Sequence, residues 1–158
     1  MKKKLFYISI AVAVCLVIGF LSSFAVHSSV NDWYEALDKP SYNPPNWIFA
    51  PVWITLYIMM GIAAGIVWAR GFYHIWVKTA LYHFCFQLLL NASWSIVFFG
   101  FKAPFLALLV IVMLLILVLL TIRWFKVVNT TAAYLLIPYF FWVCFATILN
   151  YKIWALNS

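Results

Sequence analysis

Acidic side chains are nearly missing from this chain. Only Asp32, Glu35 and Asp38 occur in 158 residues, and all three sit in one polar stretch. No long apolar segment carries a carboxylate, which excludes the intramembrane proton relay or cation site of many transporters. Charged residues of both signs make up 8% of the chain, against about a quarter in soluble domains. A soluble domain of this length could not bury the 68% that is hydrophobic, so the expected solvent is lipid. Cysteine is scarce too: Cys15, Cys85 and Cys144 lie in separate apolar runs, which gives neither a disulfide framework nor metal-ligand spacing. They read as small packing residues, and no metal site is expected. There is no G-x-S-x-G, H-E-x-x-H or glycine-rich phosphate loop, so conventional hydrolytic, metal or nucleotide chemistry has no machinery, and no cofactor is required.

What is present is apolar length. The segments 5–26, 47–69, 79–100, 104–123 and 131–152 each approach the roughly 20 residues that cross a hydrocarbon core. An all-α integral membrane protein follows, a single bundle over 1–158. The first run, after "MKKK", exceeds the about 7–15 residues of a signal-peptide core and is read as a helix. The net charge of +7 does not point to nucleic acid, because the basic residues mark the ends of apolar runs. Placing Lys2, Lys3, Lys4, Arg70, Lys78, Arg123 and Lys126 on one side leaves Lys39, Lys102 and Lys152 on the other. The positive-inside rule then puts the N-terminus in the cytoplasm and the C-terminus outside, in a multi-pass protein of the cell membrane.

Between the first two spans lies an outward loop, 27–46, with "DKPSYNPPNW" at its end. Pro40, Pro44 and Pro45 restrict its backbone, so ordering it over the bundle mouth forfeits little entropy. It reads as a lid, with Trp33 and Tyr34 turned into the mouth and the acids facing water or pairing with Lys39. "GFKAP" and "KVVNTTAAY" are short turns, with Pro104 placed to start a helix and Asn129, Thr130 or Thr131 to cap one. Short turns make sequence neighbours spatial neighbours.

Three spans carry informative faces. In the third, His83, Gln87, Asn91, Trp94, Ser95 and Phe98 recur every three or four residues and form one stripe. Polar groups at membrane depth avoid lipid, so this stripe either bonds helices together or serves a site. The fifth span offers Pro138, Trp142, Phe145, Ala146, Leu149 and Asn150, with Pro138 expected to kink it by displacing the bond to the Tyr134 carbonyl. The second offers Trp53, Tyr57, Met60, Ala64 and Trp68. The fourth is uniformly apolar up to Thr121 and is read as scaffold. Of nine tryptophans, Trp47, Trp68, Trp76, Trp124 and Trp154 fit an interfacial belt. Trp53, Trp94 and Trp142 lie deeper and suit the flat walls that hold a wide apolar molecule, or plain core packing. Gly61 and Gly65 permit close helix approach, between copies or within one bundle. His83 is placed either to ligate a haem iron from one side or, as a lone histidine near a helix start more often does, to hydrogen-bond at the interface.

The stretches "WYEALDKPSYNPPNW", "PVWITLY", "NASWSIVFF" and "PYFFWVCFATILNY" resemble the translocator protein family, also called TspO/MBR or tryptophan-rich sensory proteins, whose animal member is the peripheral benzodiazepine receptor. The resemblance covers the outer loop and spans two, three and five. It implies a five-helix bundle, usually a homodimer. A pocket under the first loop takes porphyrins, benzodiazepine-type or isoquinoline ligands and, in animals, cholesterol. Some bacterial members are reported to promote light-dependent breakdown of protoporphyrin IX. By position, the pocket residues correspond to Tyr34, Trp53, Tyr57, Asn91, Trp94, Pro138, Trp142 and Ala146, with Trp33 beside them in the lid. The family's C-terminal cholesterol motif is not met, since Tyr151 is followed at once by Lys152, so cholesterol is not the expected ligand.

Three functions fit these readings. The first is a receptor or carrier that stacks a tetrapyrrole on Trp53, Trp94 and Trp142. The second is an enzyme in which bound protoporphyrin IX is degraded under light, with a radical on Trp53 or Trp142. The third is a passive transporter using the stripe of the third span. The bilayer, a flat apolar ligand and a second copy of the chain are the expected partners.

Overall fold

A computed structural model describes residues 2–158. Its elements are α1 (Lys2–His27), the short α2 (Trp33–Ala36), α3 (Asn46–Trp68), α4 (Ile75–Ser95) continued by a π-helical turn (Ile96–Gly100), α5 (Pro104–Val128), α6 (Thr130–Leu135) and α7 (Ile137–Leu156). Five segments are long and apolar enough to cross a membrane, α4 with its π turn and α6 with α7 each counting as one. The fold is all-helical among the described residues.

The helix ends follow local chemistry. Pro104 takes the first turn of α5, where its missing N–H is not needed. Of the three candidate caps, Asn129 does the work: its Oδ1 accepts from Ala132 N at 3.0 Å. Two details depart from expectation. The last span is not one kinked helix but two, interrupted at Leu136, because Pro138 has no N–H for the Tyr134 carbonyl and falls in the first turn of a new helix. The third span ends in a π turn, with Phe101 N donating to Ile96 O at 2.9 Å. The wider turn brings Phe98 and Phe99 side by side, 4.8 Å between ring centroids, under the loop.

α1 packs along α3, α3 also meets α6, α5 lies against α4 and α7, and α4 closes the ring on α1. The short-turn rule is weakest for α3 and α4, which are joined by a short turn yet pack mainly on other helices. Gly61 and Gly65 explain the α1–α3 contact. A Cβ on either would strike backbone of α1, at Val12 and Ile8 respectively. This small-residue pair therefore serves packing within the bundle and is occupied by the chain's own first helix.

Candidate functional site

At the loop end of the bundle, α1, α3, α4 and α7 enclose a cavity of about 790 Å³. Its inner wall is aromatic and centred on Trp53. That indole lies 6.2 Å from Trp94, 6.4 Å from Trp142 and 5.9 Å from Tyr57, centroid to centroid. The Trp142 ring stands at 87° to Trp53, which makes a corner, while Trp94 is inclined to Trp53 by 36° and extends one wall. Ala146 is buried beside the corner and keeps it open. α5 contributes nothing to the lining, in keeping with its scaffold role.

Below the cavity runs a chain of buried hydrogen bonds. Tyr57 Oη donates to Asn91 Oδ1 at 2.6 Å, Asn91 Nδ2 donates to Tyr139 Oη at 2.9 Å, and Tyr139 Oη donates to Gln87 Oε1 at 2.7 Å. Gln87 and Asn91 are each 1% exposed, so the polar stripe of α4 is a seam joining three helices. A second cross-link sits nearer the loop: Trp94 Nε1 donates to Asn150 Oδ1 at 3.0 Å, and Asn150 Nδ2 donates to the Pro104 carbonyl at 2.8 Å. With these groups engaged, one polar atom stands out. The indole of Trp142 lines the cavity, but its buried N–H has no partner among the described residues. An orphaned buried donor is unfavourable by about 1–3 kcal/mol unless something accepts from it.

The loop closes the end of the cavity. Tyr34 is 3% exposed and packs against Phe98 and Phe99, at 6.2 and 5.5 Å. Its hydroxyl donates to Asn43 Oδ1 at 3.0 Å, and burial raises its pKa above the ordinary tyrosine value. Of the two arrangements expected for the acids, facing water or pairing with Lys39, the structure takes the first. The Lys39 ammonium donates to the carbonyls of Tyr34, Glu35 and Leu37, which closes the C-terminal end of α2, while Asp32, Glu35 and Asp38 are exposed. Ser29 Oγ donates to Phe99 O at 2.7 Å and ties the loop's start to the π turn.

Six of the sequence-selected residues line the cavity: Tyr34, Trp53, Tyr57, Trp94, Trp142 and Ala146. Three do not. Asn91 lies behind Tyr57 and orients it. Trp33 packs edge-on to Phe98 at 5.7 Å, outside the lining. Pro138 is exposed, eight residues and thus about 12 Å along the helix from Ala146, towards the far end of the bundle. His83 is not at the site either; its Nδ1 lies 2.8 Å from the Thr79 carbonyl, which can only accept, so Nδ1 carries the hydrogen. The contribution of α1, through Leu16, Gly19, Ser22 and Ser23, was not anticipated. Its one sequence signal is the run of small residues Gly19, Ser22 and Ser23 in an otherwise bulky helix; a Cβ at Gly19 would come within 2.5 Å of the Tyr57 ring.

Five helices long and apolar enough to cross a membrane, four of them around a tryptophan-walled cavity, define a multi-pass membrane protein. The chain belongs to the TspO/MBR family, whose model matches residues 11–155. It is 40% identical to the tryptophan-rich protein TspO of Chlorobaculum tepidum over 99% of both chains. It is 42% identical to the protein of the same name from Archaeoglobus fulgidus, over 90% of this chain and 92% of that one. The human translocator protein is 37% identical over 87% of this chain and 82% of its own length.

Proposed function

We propose that the protein is a membrane receptor for tetrapyrroles such as protoporphyrin IX, and that the cavity is the binding site. The observation that carries this is the wall of Trp53, Trp94 and Trp142 around about 790 Å³, a volume within the about 300–1,000 Å³ of small-molecule sites. Such a ligand would lie on the indole faces, enclosed by apolar side chains. Flat benzodiazepine-type ligands satisfy the same walls. The loop acts as a lid, on the outer side of the membrane, with the N-terminus cytoplasmic and two copies forming a dimer.

Limited chymotrypsin digestion at the exposed Tyr42 tests the lid and the ligand together. Saturating protoporphyrin IX in the dark should slow cleavage there; equal rates with and without ligand would refute it.

A second reading is favoured by the perpendicular indoles of Trp53 and Trp142, 6.4 Å apart at the corner of the cavity. Under light and oxygen, porphyrin held between them would be oxidised, with an indole radical as relay. Illumination of Trp53→Phe and Trp142→Phe separates the two: binding retained with breakdown lost supports chemistry, and parallel loss supports binding alone.

A further inference from the structure

We infer that the ligand enters and leaves sideways, from the bilayer, through a portal between the lid-end halves of α1 and α3, and not through the lid. The inference rests on the tetrapyrrole reading above and concerns how that site is reached.

The walls of the cavity are unequal. Under the lid Tyr34 and Phe98 are buried, the Tyr34 hydroxyl is bonded to Asn43 and Ser29 is tied to Phe99, and the exposed lining residues at this end, His27, Asn46 and Trp47, sit where α1 ends and α3 begins. On the α1–α3 side the lining residues are open to the surroundings. Phe20 is 64% exposed, Trp47 73% and Ile54 53%, and Ser23 and Ala50 between them are exposed as well. A residue that both lines a cavity and faces outward marks an opening.

Helix geometry places this opening in lipid. Phe20 lies seven residues before His27, and Ile54 seven after Trp47, so each edge of the opening runs about 10 Å down its helix. At the top His27, Asn46 and Trp47 supply polar and interfacial groups; at the bottom Phe20 and Ile54 are purely apolar. The opening therefore has the polarity gradient of one bilayer leaflet. Below it the same two helices are locked, Gly61 on Val12 and Gly65 on Ile8. The portal thus ends where the close contact starts. Its shape suits an amphiphile with a flat apolar body and polar groups on one edge, lying in the membrane interface.

A constriction on the route alters both directions of exchange, whereas a wall residue alters affinity. Ser23→Phe and Ala50→Phe narrow the portal. In lipid nanodiscs, protoporphyrin IX association and release, followed by tryptophan quenching in the dark, should both slow by about tenfold. Wild-type rates in both variants would overturn the portal, most plainly if Asn157→Ala, which frees the lid, quickened exchange instead. If the parent protein fails to bind protoporphyrin IX at all, the receptor reading fails and the portal is judged without it. Brominated phosphatidylcholine should then quench parent fluorescence more than that of the two variants, because acyl chains reach Trp53 through the opening. Equal quenching in all three would refute it.

Discussion

Asn157 holds the backbone of Asp38 from both sides. Its Oδ1 accepts from Asp38 N at 3.0 Å and its Nδ2 donates to Asp38 O at 2.9 Å, while the same Nδ2 reaches Ile153 O at 2.7 Å. The end of α7 thereby latches a loop 119 positions earlier in the chain. Asn157→Ala removes both latch bonds, which are partly wet and together worth about 1–2 kcal/mol. Chymotryptic cleavage at Tyr42 should accelerate roughly 5–30-fold, with little change in the melting temperature. Unchanged cleavage would mean the latch carries no load.

The lid should also respond to alkali through Tyr34. Burial raises the folded-state pKa of this phenol above its unfolded value. Its contribution is therefore fully present below the unfolded value of about 10 and is lost as pH rises through the folded one. Cleavage at Tyr42 should quicken in that alkaline window. Tyr34→Phe cannot ionise and should remove the alkaline step, while the lost bond to Asn43 raises the neutral-pH rate.

The seam beneath the cavity makes a prediction about coupling. Asn91→Leu strands the hydroxyl of Tyr57 and withdraws the donor to Tyr139, and should destabilise the protein by about 1–3 kcal/mol. Tyr57→Phe in the same chain removes one stranded group, so the double variant should melt higher than the sum of the single changes implies. Additive losses would show that the two side chains act independently.

Gly65→Ala tests the α1–α3 lock. Its new methyl meets the Ile8 backbone, which cannot swing aside as a side chain could, so the melting temperature should fall by the equivalent of about 1–3 kcal/mol or more. Cross-linking between copies should be unaffected, because Gly65 already faces α1. Altered cross-linking between copies with unchanged stability would place the pair at an interface between copies.

What could be read from the sequence was whatever repeats with a helical period. Gln87, Asn91, Trp94 and Phe98 share a face, and that face is buried in the bundle. Trp94 is enclosed while Trp47 and Trp76 are exposed, but Trp53 and Trp142 are half-buried like Trp68, Trp124 and Trp154, so depth along the helix separates the two groups and burial does not. Features made by distant contacts left no such trace. The latch of Asn157 depends on where α7 ends relative to the loop, and nothing local to a terminal asparagine announces it. The α1 wall was hidden because a first helix with exposed Leu5, Phe6, Phe20 and Phe24 looks lipid-facing all round. Pro138 misled in the other direction. It signalled a backbone break correctly, but its place near the start of α7 carries it away from the cavity.

Binding of the porphyrin in the tryptophan-walled cavity underlies the proposed function. It is tested most directly by a dark titration of purified protein with protoporphyrin IX, following tryptophan fluorescence, with Trp53→Phe and Trp142→Phe in parallel. Saturable quenching, weakened several-fold by either substitution, is the expected result, since each removes part of the stacking wall. Quenching that never saturates and is identical in all three proteins would mean that the porphyrin dissolves in the surrounding amphiphile and the cavity is not its site.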